Sequence, residues 1–139
     1  KAEALYQQNV LSVMEEVWHK EGERIDLVIF LNGIAIFTFE LKCNTSGQNY
    51  EDAIRQYKFE RDYKTRLLKF KAGCLAHFAM DLNEVYMCTN LKGNLFFLPF
   101  NKGCGVGIHS GKGNPHNENG INVSYMWERY SQKTIRFCI

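Results

Sequence analysis

The stretch DLVIFLNGIAIFTFELK, residues 26–42, decides the fold of this chain. Two runs of β-branched and aromatic residues flank an Asn-Gly pair, which is a strong signal for a β-hairpin. Asp26 opens the first predicted strand, and Glu40 and Lys42 close the second. Alternate residues of a strand lie on one face, so we expect Glu40 and Lys42 on the same face. The hairpin therefore brings three charged residues to one end of a predicted sheet.

These charges in otherwise apolar strands favour a catalytic site over strand ends that merely meet solvent. Mg²⁺ prefers oxygen ligands, so Asp26, Glu40 and the carbonyl of Leu41 are candidate ligands. A bound metal lowers the pKa of water and neutralises charge on a phosphate, and Lys42 could orient that water. The alternative is that Glu40 and Lys42 form a surface ion pair of little energetic weight. The D…E-x-K pattern alone is a weak signal, since strands often end in charges, but its apolar context raises the case for a metal-dependent phosphodiesterase.

The register of the hairpin constrains this hypothesis. A two-residue loop with a regular ladder pairs Leu31 with Ile34 and Asp26 with Phe39, which puts Asp26 and Glu40 on opposite faces. A shared metal site needs both carboxylates on one face. We therefore predict either a three-residue loop with a bulge, or a strand that bulges or bends near the site.

Composition limits the class of protein. The 139 residues are 45% hydrophobic, which fits a single domain spanning residues 1–139. No run approaches the ~20 apolar residues of a membrane span, so we expect no membrane contact, and the pattern of the five cysteines favours a reducing cytoplasm. The net charge is +2, so any DNA affinity must come from a local patch. The five cysteines are odd in number and lack a C-x-x-C pair, which argues against a zinc site or disulfide framework.

The rest of the chain predicts an α/β (α+β) fold, with a mixed central β-sheet flanked by helices. Segments 10–18, 74–80 and 85–89 favour strands, although the first has an imperfect alternation that a helix would also allow. Asn49 is a good N-cap for a helix that ends before Leu67. We find no linker that would divide the chain.

Residues 101–120 are rich in glycine and asparagine and predict a long loop. They lack the G-x-G-x-x-G spacing, and no Ser or Thr follows the lysine of the SGKG segment, so we predict no nucleotide site. Four other residues fit the core better than a binding role: Phe96, Phe97, Phe100 and His77.

Six segments of the chain carry a family resemblance: RIDLVIFLNG (24–33), ELK (40–42), TSGQN (45–49), AIRQY (53–57), HFAMDLNEVYM (77–87) and FLPFNKG (97–103). In this order they resemble the N-terminal nuclease domain of the R (restriction) subunit of type I restriction enzymes. The resemblance runs from about residue 6 to residue 127. It implies a restriction-endonuclease-like PD-(D/E)-x-K core built as helix, three strands, helix, strand, with Mg²⁺-dependent cleavage of double-stranded DNA.

The resemblance also implies roles for particular residues. Asp26 and Glu40 would bind the metal, and Lys42 would be the catalytic lysine. Many R subunits carry a Q-x-x-x-Y motif on the helix after the catalytic strand. Gln56 matches its glutamine and is carried over as a catalytic residue, whereas position 60 is Glu and the tyrosine is not carried over.

The resemblance further implies that the chain is part of a longer R subunit, whose ATP-dependent translocase domains lie elsewhere. Its partners would be double-stranded DNA and the methylation and specificity subunits of a restriction complex. Two alternatives stay open: a free-standing repair or junction-resolving nuclease of the same fold, and a non-catalytic DNA-docking module of a larger motor protein.

Overall fold

The computed structural model describes residues 2–93, 95–104, 107, 112–128 and 135–138. The elements in these residues are α1 (Ala2–Gln7), β1 (Leu11–Lys20), β2 (Glu23–Leu31), β3 (Ile34–Leu41), a 3-10 turn (Asn44–Ser46), α2 (Tyr50–Phe59), β4 (Ala76–Met80), β5 (Val85–Cys88), β6 (Leu98–Pro99), α3 (Tyr125–Glu128) and β7 (Ile135–Cys138). The order α1, β1–β3, α2, β4 is the expected nuclease-like core. The predicted α+β fold with a mixed sheet is confirmed.

Seven strands of the described chain form one sheet in the order β6-β5-β4-β3-β2-β1-β7. The β3–β4 and β1–β7 pairs are parallel, and the other pairs are antiparallel. Because β3 and β4 run in parallel, their carboxyl ends meet at one edge of the sheet, where Leu41 pairs with Met80. This edge receives the charged end of the hairpin.

The turn and the register of the hairpin decide whether Asp26 and Glu40 lie on one face, as a shared metal site requires. Asn32 and Gly33 have φ values of 51° and 82°, so the loop has two residues in the left-handed conformation favoured by Asn-Gly. The ladder starts with Leu31 opposite Ile34 and then shifts between Ile29 and Phe30, which leaves Ile36 as an extra residue in β3. The prediction of a bulged strand is confirmed, and the alternative of a three-residue loop is wrong.

Helix α2 begins as the sequence predicts and ends earlier than its upper limit. The side chain of Asn49 accepts a hydrogen bond from the amide of Glu51 at 2.8 Å, and the amide of Asn49 donates to Asp52 at 3.1 Å. This reciprocal capping box fixes the first turn. Ala53 and Tyr57 are buried against the sheet.

The sheet separates two clusters of buried side chains. One face, called the α2 face, is covered by α2 and carries Ile25, Val28, Ala53, Tyr57, Leu68, Ala79, Cys88 and Leu91. The other, called the aromatic face, carries buried Phe39 and Phe78 with the half-buried Phe37 and Trp127 against them. The bulge at Ile36 keeps Phe37 and Phe39 on the aromatic face.

The segment after β5 differs in part from expectation. Phe97 packs on Tyr57 as a core residue should, with ring centroids 5.8 Å apart, but Phe96 is 77% exposed and Phe100 is 45% exposed. Predicting these two as core residues was wrong because the 95–100 segment forms only a two-residue edge strand. An isolated short edge strand buries few side chains.

The glycine-rich loop is attached to the β4–β5 turn through Asn114. Its side-chain amide donates to the carbonyl of Asn83 at 2.8 Å and its side-chain oxygen accepts from the amide of Lys102 at 2.7 Å. Residues 105, 106 and 108–111 of this predicted loop lie outside the described residues. None of the helices in the described part of the chain has the length and apolar content needed to cross a membrane.

Candidate active site

The predicted metal ligands meet where the β2–β3 ladder ends. Leu27 pairs with Phe39, so Asp26 and Glu40 occupy the next positions of the two strands. The amide of Leu41 donates to Oδ2 of Asp26 at 2.8 Å, which ties the first carboxylate to the backbone beside the second. Asp26, Glu40 and Leu41 therefore lie together at the end of the ladder.

Glu40 is the most unusual group in this site. Its side chain is fully buried, and Nε of Arg61 donates to its Oε1 at 2.6 Å. Its Oε2 is buried and accepts no hydrogen bond from a donor group of the described residues, and the side chain of Asp26 lies close enough to hydrogen-bond with Glu40 when one of the two carboxyls is protonated. Burial raises the pKa of Glu40 from 4.5 to about 7, the Arg61 hydrogen bond opposes the shift, and the charge of Asp26 adds to it.

The donor set fits a hard divalent cation. A buried carboxylate oxygen without a partner is costly, and a cation would satisfy it. Glu40 offers Oε2, Asp26 lies beside it, and the Leu41 carbonyl is in the same stretch of backbone. The described residues contain no cluster of three or more His, Cys, Asp and Glu side chains able to hold a metal. The site would thus combine two carboxylates with a carbonyl and water, as Mg²⁺ sites commonly do.

The other two predicted site residues are Lys42 and Gln56. Lys42 follows Leu41, is half-buried, and donates its backbone amide to Met80 at 2.9 Å. Lys42 lies one residue past the end of β3, and continuing the strand alternation predicts that its side chain lies on the face of Glu40. Gln56 lies on α2 with a buried Oε1 that has no partner, and no hydrogen bond joins it to Lys42 in the described chain.

A buried polar network supports the site from the α2 face. Oγ1 of Thr38 lies 2.9 Å from the hydroxyl of Tyr57 and 2.7 Å from Nδ1 of His77. All three side chains are buried, and burial lowers the pKa of His77 to about 4. His77 is a core histidine, as predicted. Thr38 precedes Glu40 by two residues on the same strand face, so the network fixes β3 against α2 next to the carboxylate.

Two residues that contact the site or its scaffold were missed from the sequence. Arg61 follows α2 and reaches Glu40, although nothing in the sequence distinguishes it from the other arginines. Asp81 is 5% exposed, and its Oδ2 accepts from the amide of Tyr50 at 3.1 Å while Oδ1 accepts from Asn83 at 2.7 Å. Its position in the turn after β4 is the signal that could have found it, because Asp often organises such turns.

The raised pKa of Glu40 predicts a pH-dependent stability of the metal-free chain. Between pH 4.5 and about pH 7, Glu40 holds a proton in the folded chain that it has lost in the unfolded chain. The free energy of unfolding therefore falls as the pH rises through this window. Relative to Glu40→Gln, the wild-type free energy of unfolding should fall by about 3 kcal/mol from pH 4.5 to pH 7.5. Urea denaturation in EDTA would measure it. His77 is present in both proteins, so its titration cancels in the difference between their free energies of unfolding. If that difference stayed constant across this pH range, the raised pKa of Glu40 would be contradicted.

Comparison with known proteins gives one result of consequence. A family model described as the type I restriction enzyme R protein N terminus matches residues 4–95. The matched region contains every element from β1 to β5, including the ladder end, α2 and the segment with Arg61. No curated protein and no solved structure gives a significant match to the chain.

Proposed function

Because the chain belongs to the N-terminal domain family of type I restriction enzyme R proteins, we propose that it is the Mg²⁺-dependent endonuclease domain that cleaves double-stranded DNA for such an enzyme. The single observation that supports this most is the ladder end. It places Asp26 beside a buried Glu40 whose Oε2 accepts no hydrogen bond from a donor group of the described residues. Buried carboxylates with perturbed pKa values are concentrated at functional sites.

In this proposal Glu40 and Asp26 hold Mg²⁺ with the carbonyl of Leu41. The bound ion would supply Lewis acidity and a more acidic water at the scissile phosphate. Lys42 stabilises negative charge that develops on the phosphate and orients the attacking water. In this proposal Gln56 contacts the water or the nucleic acid through its Oε1, which is buried without a hydrogen-bond partner among the described residues.

The complete R subunit and its partners belong to the proposal as well. ATP hydrolysis and translocation would reside in other domains of the R subunit. Methylation and specificity subunits would supply sequence recognition and deliver DNA at high effective concentration. The chain has a net charge of only +2, so its own contribution to DNA affinity would be small. We propose a cytoplasmic location for the complex.

The contact between Asp26 and the backbone beside Glu40 supports catalysis over the non-catalytic docking alternative, which needs no convergence of carboxylates. A direct test is binding of Mn²⁺, as a spectroscopic substitute for Mg²⁺, to the 139-residue chain, together with DNA cleavage by the R subunit that carries it. Binding that requires both Asp26 and Glu40 is the expected result. Absence of any bound Mn²⁺ in the wild-type chain would contradict the proposal.

Lys42→Ala should separate metal binding from cleavage. Lys42 is not proposed as a ligand, so Mn²⁺ affinity should stay close to that of the wild type. Cleavage should fall by about a hundredfold or more, the usual cost of removing a group that stabilises transition-state charge. Plasmid cleavage by the R subunit in its complex measures the loss, and Lys58→Ala, an exposed lysine of α2, is the matched control. Full activity of Lys42→Ala would remove Lys42 from the mechanism.

A further inference from the structure

The guanidinium of Arg61 lies inside the candidate site. Its side chain is 8% exposed, and its Nε donates to Oε1 of Glu40 at 2.6 Å. The partner carboxylate is fully buried. Most surface ion pairs contribute little, but a hydrogen bond between a buried carboxylate and a nearly buried guanidinium constrains both groups.

The backbone on either side of Arg61 is fixed by other contacts. Helix α2 precedes it and is capped by a bond from the amide of Glu60 to the carbonyl of Gln56 at 2.9 Å. On the other side, the amide of Asp62 donates to Glu23 at 2.8 Å, and the side chain of Asp62 accepts from Lys20 at 3.1 Å. Arg61 is thus held between α2 and the β1–β2 turn.

A third contact that fixes this segment involves Thr65, four residues after Arg61. Oγ1 of Thr65 is 3.0 Å from Nδ1 of His19 and donates to the carbonyl of Asp62 at 3.0 Å. The segment 61–65 is therefore fastened to the end of β1. This anchoring directs Arg61 toward Glu40, because both ends of the short segment that carries it are tied to the sheet.

The two oxygens of Glu40 consequently have different environments. Oε1 accepts the hydrogen bond from Arg61, whereas Oε2 is buried, receives no hydrogen bond from a donor group of the described residues, and belongs to a carboxyl that lies beside Asp26. We propose that Arg61 is a positioning residue of the metal site, which holds Oε1 so that Oε2 is presented to the divalent cation. This inference rests on the proposed function, since it assigns a role at the same site.

Arg61 affects cation binding in two opposing ways, and their relative sizes decide whether it raises or lowers the metal affinity. The positive charge of Arg61 repels a nearby cation, but it also fixes a carboxylate that would otherwise be free to rotate. Groups that hold a metal ligand from outside the coordination sphere typically change metal affinity by about 10–100-fold. We expect orientation to win, because Arg61 bonds one oxygen and leaves the other free.

The test is titration of the purified 139-residue chain with Mn²⁺, followed by electron paramagnetic resonance or calorimetry. Arg61→Ala should weaken Mn²⁺ binding by about 10–100-fold. Arg61→Lys keeps the charge and can still donate hydrogen bonds but lacks the planar fork, so it should recover part of the lost affinity. Arg55→Ala is the matched control, because Arg55 lies on α2 with a 66% exposed side chain and pairs with Asp52.

Several outcomes would overturn the inference. Unchanged Mn²⁺ affinity in a folded Arg61→Ala chain would leave Arg61 a purely structural residue. Tighter binding would make it a competitor of the cation. If Arg61→Ala does not fold, Arg61→Lys decides: affinity equal to the wild type contradicts the role of the planar guanidinium. A wild-type chain that binds no Mn²⁺ overturns the proposed function itself, which separates that failure from the others.

Discussion

Glu40→Ala is expected to abolish detectable Mn²⁺ binding by the chain and to lower DNA cleavage by the assembled enzyme by about a thousandfold or more. A catalytic metal typically supplies several kcal/mol of charge stabilisation, and each 1.36 kcal/mol corresponds to about tenfold in rate. Glu40 provides the buried, unpartnered oxygen of the donor set, so its loss should remove the site. Plasmid cleavage in the presence of ATP measures the effect.

The matched control is Glu51→Ala, which removes an exposed carboxylate of α2 and should leave cleavage unchanged. Glu40→Gln serves as a companion because it keeps the shape of the side chain while removing its charge. ATP hydrolysis and translocation should continue in both Glu40 variants, since they are proposed to reside in other domains. Normal cleavage by the Glu40→Ala enzyme would refute the site, and loss of translocation would indicate a structural role.

Phe39→Ala should produce the largest loss of stability among the core positions next to the site. Phe39 is 2% exposed. Its ring stacks on that of Phe78 with centroids 4.9 Å apart, and its centroid lies 5.3 Å from that of Trp127. Removing a buried aromatic ring loses its transfer free energy and leaves a cavity, which together typically cost about 3–5 kcal/mol. Urea denaturation followed by circular dichroism should show this decrease in the free energy of unfolding.

Phe59→Ala is the control for this measurement, because Phe59 is 79% exposed at the end of α2. Surface substitutions away from special features usually change stability by less than about 0.5 kcal/mol. Equal effects of the two substitutions would mean that the aromatic face is not a packed core.

Local signals made much of this structure predictable. The Asn-Gly pair fixed the hairpin because both turn residues need positive φ, which these two adopt at low cost. Asn49 with Asp52 three residues later gave the start of α2. The hypothesis that Asp26, Glu40 and Leu41 form a metal site required both carboxylates on one face, and that requirement in turn predicted a bulge.

Other parts depend on tertiary contacts that no local pattern encodes. The bulge could be required but not placed at Ile36, because many apolar residues of β3 could occupy that position. Arg61 could not be distinguished from Arg55 or Arg66, since only the packing of segment 61–65 on the β1–β2 turn directs it toward Glu40. The exposure of Phe96 followed from the shortness of β6, which composition does not reveal.

The extra residue in β3 has a consequence for how this hairpin can change during evolution. One residue separates a sheet in which Asp26 and Glu40 share a face from one in which they do not. Deleting Ile36, or inserting a single residue between the turn and Glu40, would exchange the two faces of the end of β3 and turn Phe39 toward α2. Length changes in this short stretch should therefore be tolerated only in pairs. Substitutions at exposed positions of this stretch, such as Ile34, keep the length and should be tolerated more readily, so related sequences should vary in composition there before they vary in spacing.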